Sequence, residues 1–257
     1  TTVMMGVPTY YTRLLAEQAF DRAACRSVRL FISGSAPLQL ETFTQFRMRI
    51  GQPILERYGM SEAGMICSNP LHGERRGGSV GFALPGVSVR VADDHDRPLP
   101  SGEAGGIQIR GENVFAGYWR MPGKTREEFT ADGYFRTGDI GTFDADGYVS
   151  IVGRAKDLII SGGYNVYPKE IEIALDALPG VMESAVIGVP HPDFGEAVAA
   201  VVVGRKDAAL DPAALIAELK KNFANYKVPK QVYVVDDLPR NAMGKVQKAL
   251  LRERYGK

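Results

Sequence analysis

Asp139 closes the run Tyr134-Phe135-Arg136-Thr137-Gly138-Asp139, and Arg154 lies in Gly153-Arg154-Ala155-Lys156-Asp157. A carboxylate accepts from paired hydroxyls and a planar guanidinium donates to paired oxygens, so the two suit a diol such as a ribose. The same two residues would also serve as a surface ion pair between strands. Gly34, Ser35, Ala36 and Pro37 follow an apolar strand. Their low bulk would let a flat base lie against the backbone, with Tyr58 stacked on its other face. An ordinary strand-to-helix turn has the same composition. In Tyr58-Gly59-Met60-Ser61-Glu62, Ser61 offers a hydroxyl to a phosphate oxygen. Glu62 offers a hard oxygen ligand to Mg²⁺, which takes few carboxylates beside substrate phosphates. At a helix start the same pair would be a cap and a dipole partner. Lys245 stands in a segment with Pro239, Asn241 and Gly244. It is a flexible point charge suited to a carboxylate attacking a phosphate, or one more surface lysine.

The elements that must position these residues fall into three stretches. In residues 1–76 helix and strand alternate: a helix over 9–20, a strand over 28–33, a helix over 41–50 closed by Gly51, and a strand over 53–58. This is an α/β layer, and strand ends that turn into small-residue loops are where such sheets bind ligands. Residues 77–153 switch to period-two strands, 87–91 and 107–110, with Asp146-Gly147 as a hairpin signal, and predict a β-barrel-like unit, a small barrel or a folded sheet. Residues 154–257 read as a compact α+β domain. It has a helix over 168–178, strands over 184–189 and 197–203, a helix capped by Asp211-Pro212 running to about 224, and a strand over 231–235.

Composition narrows the partners. The 257 residues are 45% hydrophobic, enough to bury a core. Lys and Arg number 31 against 30 Asp and Glu, a net charge of +1, which argues against nucleic acid or a membrane surface as the main partner. Cys25 and Cys67 have no paired or metal-ligand spacing, so neither a disulfide framework nor a zinc site is expected, and a cytoplasmic location is. No apolar run approaches the ~20 residues of a membrane span. The chain begins Thr1-Thr2-Val3-Met4-Met5, inside an apolar segment and without an initiator Met. The expectation is one piece of a longer protein, with Val3-Met4-Met5 a sheet strand that has lost its neighbours.

Five blocks in order carry a resemblance: Ser33-Gly34-Ser35-Ala36-Pro37-Leu38, Tyr58 to Glu62, Tyr134 to Asp139, Gly153 to Pro168, and Pro239-Arg240-Asn241-Ala242-Met243-Gly244-Lys245. Together they resemble the adenylate-forming superfamily of acyl-CoA synthetases, luciferases and adenylation domains, in its C-terminal half. The resemblance implies residues 1–153 as the C-terminal part of a large α/β-plus-β-barrel adenylating domain and 154–257 as a mobile α+β lid. It implies an acid–thiol ligase using ATP, Mg²⁺ and, as co-substrate, CoA. Adenine would sit at Gly34 to Pro37 and Tyr58, ribose at Asp139 and Arg154, phosphate and Mg²⁺ at Gly59, Met60, Ser61 and Glu62. Lys245 would orient the carboxylate and α-phosphate, and Lys156 would be the hinge. Ser161, Gly162 and Gly163 would line the pantetheine tunnel, where glycine lets backbone approach a thin ligand.

The wording around Met5-Gly6-Val7-Pro8 and Leu55-Glu56-Arg57-Tyr58 is most similar to malonyl-CoA synthetases. A dicarboxylate needs cationic donors, which makes Arg13 and Arg57, with Ser35, candidates for its distal carboxylate. Alternatively Arg13 is an exposed helix residue and Arg57 a structural ion-pair partner. The family's Ser/Thr/Gly-rich phosphate loop is not among these residues, and neither Gly77-Gly78 nor Gly105-Gly106 substitutes for it. The expectation is therefore little or no adenylation by this chain without its N-terminal half. The competing readings are a medium-chain or aromatic acyl-CoA ligase, and a non-catalytic nucleotide-binding module derived from one.

Overall fold

In the computed structural model, residues 1–206, 208–241 and 244–256 are described. Two compact units divide the chain, Thr1–Ile151 and Val152–Lys257.

The first unit opens with β1 (Val3–Gly6), α1 (Pro8–Ala16), β2 (Leu30–Ser33), α2 (Leu40–Ile50) and β3 (Leu55–Met60). β1 pairs parallel with β2, and β2 with β3. Right-handed crossovers that advance in one direction put both helices on one face of the sheet. There Tyr11, Phe31, Phe43, Phe46, Ile50 and Ile54 form a closed core. The opposite face carries Leu30, Ile32 and Leu55. β1 ends the strand order, and its Met5 is 61% exposed.

Two boundaries differ from the sequence reading. α1 stops at Ala16 rather than near residue 20, because Glu17 is extended and Arg49 of α2 takes over its open end. The Arg49 guanidinium donates to the carbonyls of Leu15, Glu17 and Gln18 at 2.5, 2.5 and 3.1 Å. β3 runs on through Gly59 and Met60, because a strand the sequence reading lacked, β4 (Gly64–Ser68), pairs with it antiparallel. A Cβ on Gly59 would meet the Gly64 carbonyl oxygen at 2.2 Å, so only glycine fits this approach. Ser61-Glu62 is therefore the turn of a β-hairpin, and the alternative of a helix start is excluded. β5 (Phe82–Ala83) completes the sheet in the order β1-β2-β3-β4-β5.

β6 (Val87–Ala92), β7 (Gly105–Gly111), β8 (Phe135–Phe143) and β9 (Val149–Arg154) form a four-stranded sheet in the order β6-β7-β8-β9, with the short α3 (Pro122–Glu128) between β7 and β8. Gly81, beside β5, pairs antiparallel with Val149 of β9, so the two sheets join there in keeping with the expected barrel-like unit. Its apolar side, Ile107, Ile109, Phe135 and Val149, packs on Tyr58, Ile66 and Cys67 of the first sheet. Burial against that sheet satisfies the apolar face.

In the second unit, β10 (Ile159–Ser161), β11 (Tyr164–Val166), β12 (Val181–His191), β13 (Gly195–Gly204) and β14 (Gln231–Val235) make one sheet, ordered β11-β10-β13-β12 with β14 beside β13. α4 (Pro168–Asp176) and α5 (Pro212–Leu219) cover one face over Val186, Val198, Ala200 and Val202. α6 (Lys248–Tyr255) covers the other, with its Leu251 over Ile187, Ala199 and Val201. A strand buried on both faces reads as a continuous apolar run, as residues 197–203 do. The helix begun at Asp211, whose carboxylate accepts from the Ala213 N–H at 3.0 Å, ends at Leu219 and not near 224. Three-residue turns from Lys221 to Glu218 and Asn222 to Leu219 tighten the chain there.

Candidate functional site

The C-terminal ends of the parallel strands gather most of the first unit's candidates. β2 ends in Gly34, Ser35, Ala36 and Pro37, and Ser35 holds a left-handed backbone at φ 68°. A non-glycine residue there stores strain that the surroundings must impose. The buried Glu56 carboxylate contributes by accepting from the Leu38 N–H at 3.1 Å. Tyr58 is 8% exposed, and its hydroxyl donates to Asp139 Oδ2 at 2.6 Å. That bond ties β3 to β8 and makes Tyr58 a buried anchor of the Asp139 carboxylate. Burial first, and the Asp139 charge second, hold the phenol protonated well above its ordinary range. Gly138 at φ 73° and the Thr137 hydroxyl, which accepts from the Asp139 N–H at 3.1 Å, set the Asp139 backbone.

The Ser61-Glu62 turn is clasped by a loop the sequence reading passed over. The Phe115 N–H donates to the Glu62 carbonyl at 2.7 Å, Asn113 Nδ2 to the Ala63 carbonyl at 2.8 Å, and the Tyr118 hydroxyl to Glu62 Oε1 at 3.1 Å. Lys124 lies over the Tyr118 ring. Burial and the Glu62 carboxylate push the Tyr118 phenol up to about 12. No sequence signal short of the tertiary contact points to Asn113 and Tyr118. Among the described residues no group of three or more His, Cys, Asp or Glu gathers for a metal. A single carboxylate still fits Mg²⁺, which completes its shell with phosphates and water.

The two arginine candidates separate. Arg57 follows Leu55 on the face of the sheet opposite the helices, with Nη2 3.5 Å from Met5 Sδ. Its Nε is buried and has no hydrogen-bond partner, and no ion pair reaches it among the described residues. Arg13 is exposed in the last turn of α1, on the helical face, two positions from the fully buried Tyr11 and so turned away from the sheet. The structure does not bring Arg13 to Arg57, and a position at a helix C-terminus accounts for its charge.

In the second unit Arg154 and Lys156 are exposed, Lys156 within the one-turn 3₁₀ helix Ala155–Asp157. Arg252 of α6 donates to Asp157 Oδ1 at 2.6 Å. Ser161 is buried, and Gly162 and Gly163, at φ 59° and 82°, join β10 to β11. Two positive φ values are what a two-residue type I′ hairpin turn demands, so both glycines have a backbone reason. The Gly162 N–H donates to the Phe194 carbonyl at 2.9 Å, which sets the half-exposed Phe194 ring beside the turn. Lys245 is half-buried with no ion pair among the described residues. Ala242 and Met243 of its block lie outside them.

Parallel strands ending in a small-residue turn and a hairpin Ser-Glu, an antiparallel sheet bearing a buried carboxylate, and a separate α+β unit make up the chain. Residues 1–119 match the AMP-binding enzyme family, and residues 170–245 match the AMP-binding enzyme C-terminal domain. The chain belongs to the AMP-binding enzyme family. It is similar to the crystal structure of ATP-bound MatB from Rhodopseudomonas palustris, with a TM-score of 0.98 and 56% identity over 100% of this chain and 51% of that one. The sulfoacetate–CoA ligase of Cupriavidus necator is 45% identical over 95% of this chain and 48% of its own length. The malonate–CoA ligase of Arabidopsis thaliana is 40% identical over 98% of this chain and 44% of its own. The chain thus spans about half the length of the curated relatives it matches. Among the described residues no helix is long and apolar enough to cross a membrane.

Proposed function

We propose that this chain is the adenosine-binding and lid portion of an ATP-dependent acid–CoA ligase whose acid is a short dicarboxylate, malonate or methylmalonate. The observation that carries the choice of acid is Arg57. A half-buried guanidinium with a buried, unpartnered Nε and no ion pair among the described residues lacks the partner that a structural arginine would have. A substrate anion would supply it. A fatty-acid pocket, by contrast, gains nothing from a buried cation. Two of the relatives are named for malonate and sulfoacetate, each an acetate bearing a second anion, which supports a cationic pocket.

The chemistry has two steps. A carboxylate oxygen attacks the α-phosphorus of ATP, pyrophosphate leaves, and an acyl-AMP forms. The sulfur of CoA then attacks the acyl carbon, and AMP leaves. In this reading the Gly34 to Pro37 turn takes the adenine, Asp139 and Arg154 the ribose hydroxyls, and Ser61 a phosphate oxygen. Lys245 balances charge between the carboxylate and the α-phosphate. Glu62 would hold Mg²⁺, which neutralises charge at phosphorus when bound. The unit beginning at Val152 turns about Lys156 between the steps, and Ser161, Gly162 and Gly163 meet the pantetheine arm in the second.

The test is a substrate panel on the enzyme that joins this chain to its N-terminal half. Arg57→Ala is expected to raise the KM for malonate at least about tenfold more than the KM for ATP, the loss of one charge-assisted contact. Equal effects on both substrates, or a wild-type preference for a monocarboxylate, would remove the assignment.

A further inference from the structure

The segment that carries Lys245 is a tight turn held from outside itself. Arg240 and Val246 face each other across it as an antiparallel bridge. The Asn241 N–H donates to the Lys245 carbonyl at 3.0 Å, and the Asn241 side-chain oxygen accepts from the Lys245 N–H, also at 3.0 Å. Gly244, at φ 76°, donates to the Asn241 carbonyl at 2.9 Å. These bonds tie residues 240 and 241 to 244, 245 and 246 but do not set where the segment lies. Its place is set by Arg240. Arg240 Nη1 donates to the Gly244 carbonyl, one residue before the lysine, at 2.8 Å, while Nη2 pairs with Glu183. Glu183 lies in β12, next to the register shift at Val181, and β12 is buried between helices on both faces. The guanidinium therefore bridges a rigid strand and the peptide that precedes Lys245. Both arms of the bridge are partly shielded, with side-chain exposures of 32% for Arg240 and 22% for Glu183.

We infer that Glu183 and Arg240 are positioning residues for the adenylation step: through one guanidinium they hold the Lys245 turn to the β12 strand. The inference rests on the reading of Lys245 given above. A lysine on a free turn would spread its ammonium over several ångströms, and a displacement of about 1 Å at a reacting centre costs on the order of a hundredfold in rate. Arg240 is suited to the task because its planar fork serves two acceptors at once. A lysine in its place offers a point charge that cannot hold both the Gly244 carbonyl and the Glu183 carboxylate in fixed directions.

The test measures the two half-reactions separately in the complete enzyme: malonate-dependent ATP–pyrophosphate exchange, and thioester formation from supplied malonyl-AMP and CoA. Glu183→Gln and Arg240→Lys are each expected to slow exchange by about ten- to a hundredfold, in kcat rather than in the KM for ATP. Thioester formation is expected to stay within about twofold, because the lid is expected to use another face for it. The double variant is expected to be no slower than the worse single one, since both break one bridge. Equal loss in both half-reactions, or unchanged exchange, overturns the inference. Lys245→Ala runs beside them. If it abolishes exchange while Glu183→Gln leaves exchange unchanged, the positioning role alone fails. If Lys245→Ala leaves exchange intact, the reading of Lys245 fails, and the positioning role with it.

Discussion

At the scale of single residues, burial dominates the chemistry of the first unit. Cys67 is fully buried, and burial pushes its thiol from about 9 up to about 12. Tyr58 and Tyr11 are raised by the same cause, and Tyr11 donates to the Ile32 carbonyl at 2.5 Å. A group whose folded pKa lies above its unfolded value contributes stability that is complete below the unfolded value. That stability is lost as pH rises toward the folded one. The first unit is therefore expected to lose stability between about pH 9 and pH 12, read as a falling denaturation midpoint. Cys67 is expected to resist a thiol reagent at pH 8 until the chain unfolds. Labelling at the rate of a free thiol under native conditions would contradict that. Arg57 belongs to this scale too. Its charge is legible in the sequence, but its lack of a partner appears only when the strand is set among its neighbours.

At the scale of elements, two connections bear the most. Glu172 of α4 accepts from the Val186 N–H at 3.0 Å and pairs with Lys248 of α6 at 2.5 Å. One carboxylate thus links a helix, the sheet and the helix on the sheet's other side. Its side chain is 9% exposed and that of Lys248 18%, so removing one partner leaves the other poorly solvated. Glu172→Ala is expected to destabilise the second unit by roughly 3 kcal/mol in chemical denaturation. Glu218→Ala, which breaks a pair with Lys221 at 65% and 45% exposure, is expected to leave the midpoint nearly unchanged. The second connection is the turn Ala155–Asp157. Arg252 fixes Asp157 to α6, and the proposed pivot would fall on the residues before it, where Lys156 is exposed. Proline at Lys156 would lock one backbone angle there. Lys156→Pro is expected to impair passage from the acyl-AMP to the thioester, seen as acyl-AMP accumulation in a single-turnover assay. Normal rates in both half-reactions and in the overall reaction would refute the hinge.

At the scale of the molecule, the first unit presents an edge. β1 ends its sheet, with Met5 exposed and Arg57 reaching, among the described residues, a methionine sulfur. The phosphate-gripping loop of the family has no counterpart in these 257 residues. The isolated chain is expected to show no malonate-dependent pyrophosphate exchange above background. Addition of the N-terminal half, as a separate chain or in one polypeptide, is expected to restore it. Robust exchange by the 257 residues alone would overturn the division of labour proposed here.

The sequence by itself determined the class of the fold and proposed the positions of the candidate site. Those signals are local: small residues after an apolar strand, Gly51 closing α2 at φ 80°, Asp211 capping α5, an Asp-Gly hairpin, and five blocks in a fixed order. Only the tertiary structure decided which residues meet. Period-two patterning cannot tell a small barrel from a folded sheet, because either buries one face of each strand. It could not show β4, whose pairing turned Ser61-Glu62 into a hairpin, or Arg49 ending α1 early. Nor could it show that Arg13 and Arg57 stand on opposite faces, since that depends on which side of the sheet the crossover helix packs. Tyr58 against Asp139, Tyr118 against Glu62 and Arg240 against Glu183 join residues 81, 56 and 57 positions apart. Contacts at such separations follow from packing a whole chain, and no local propensity encodes them.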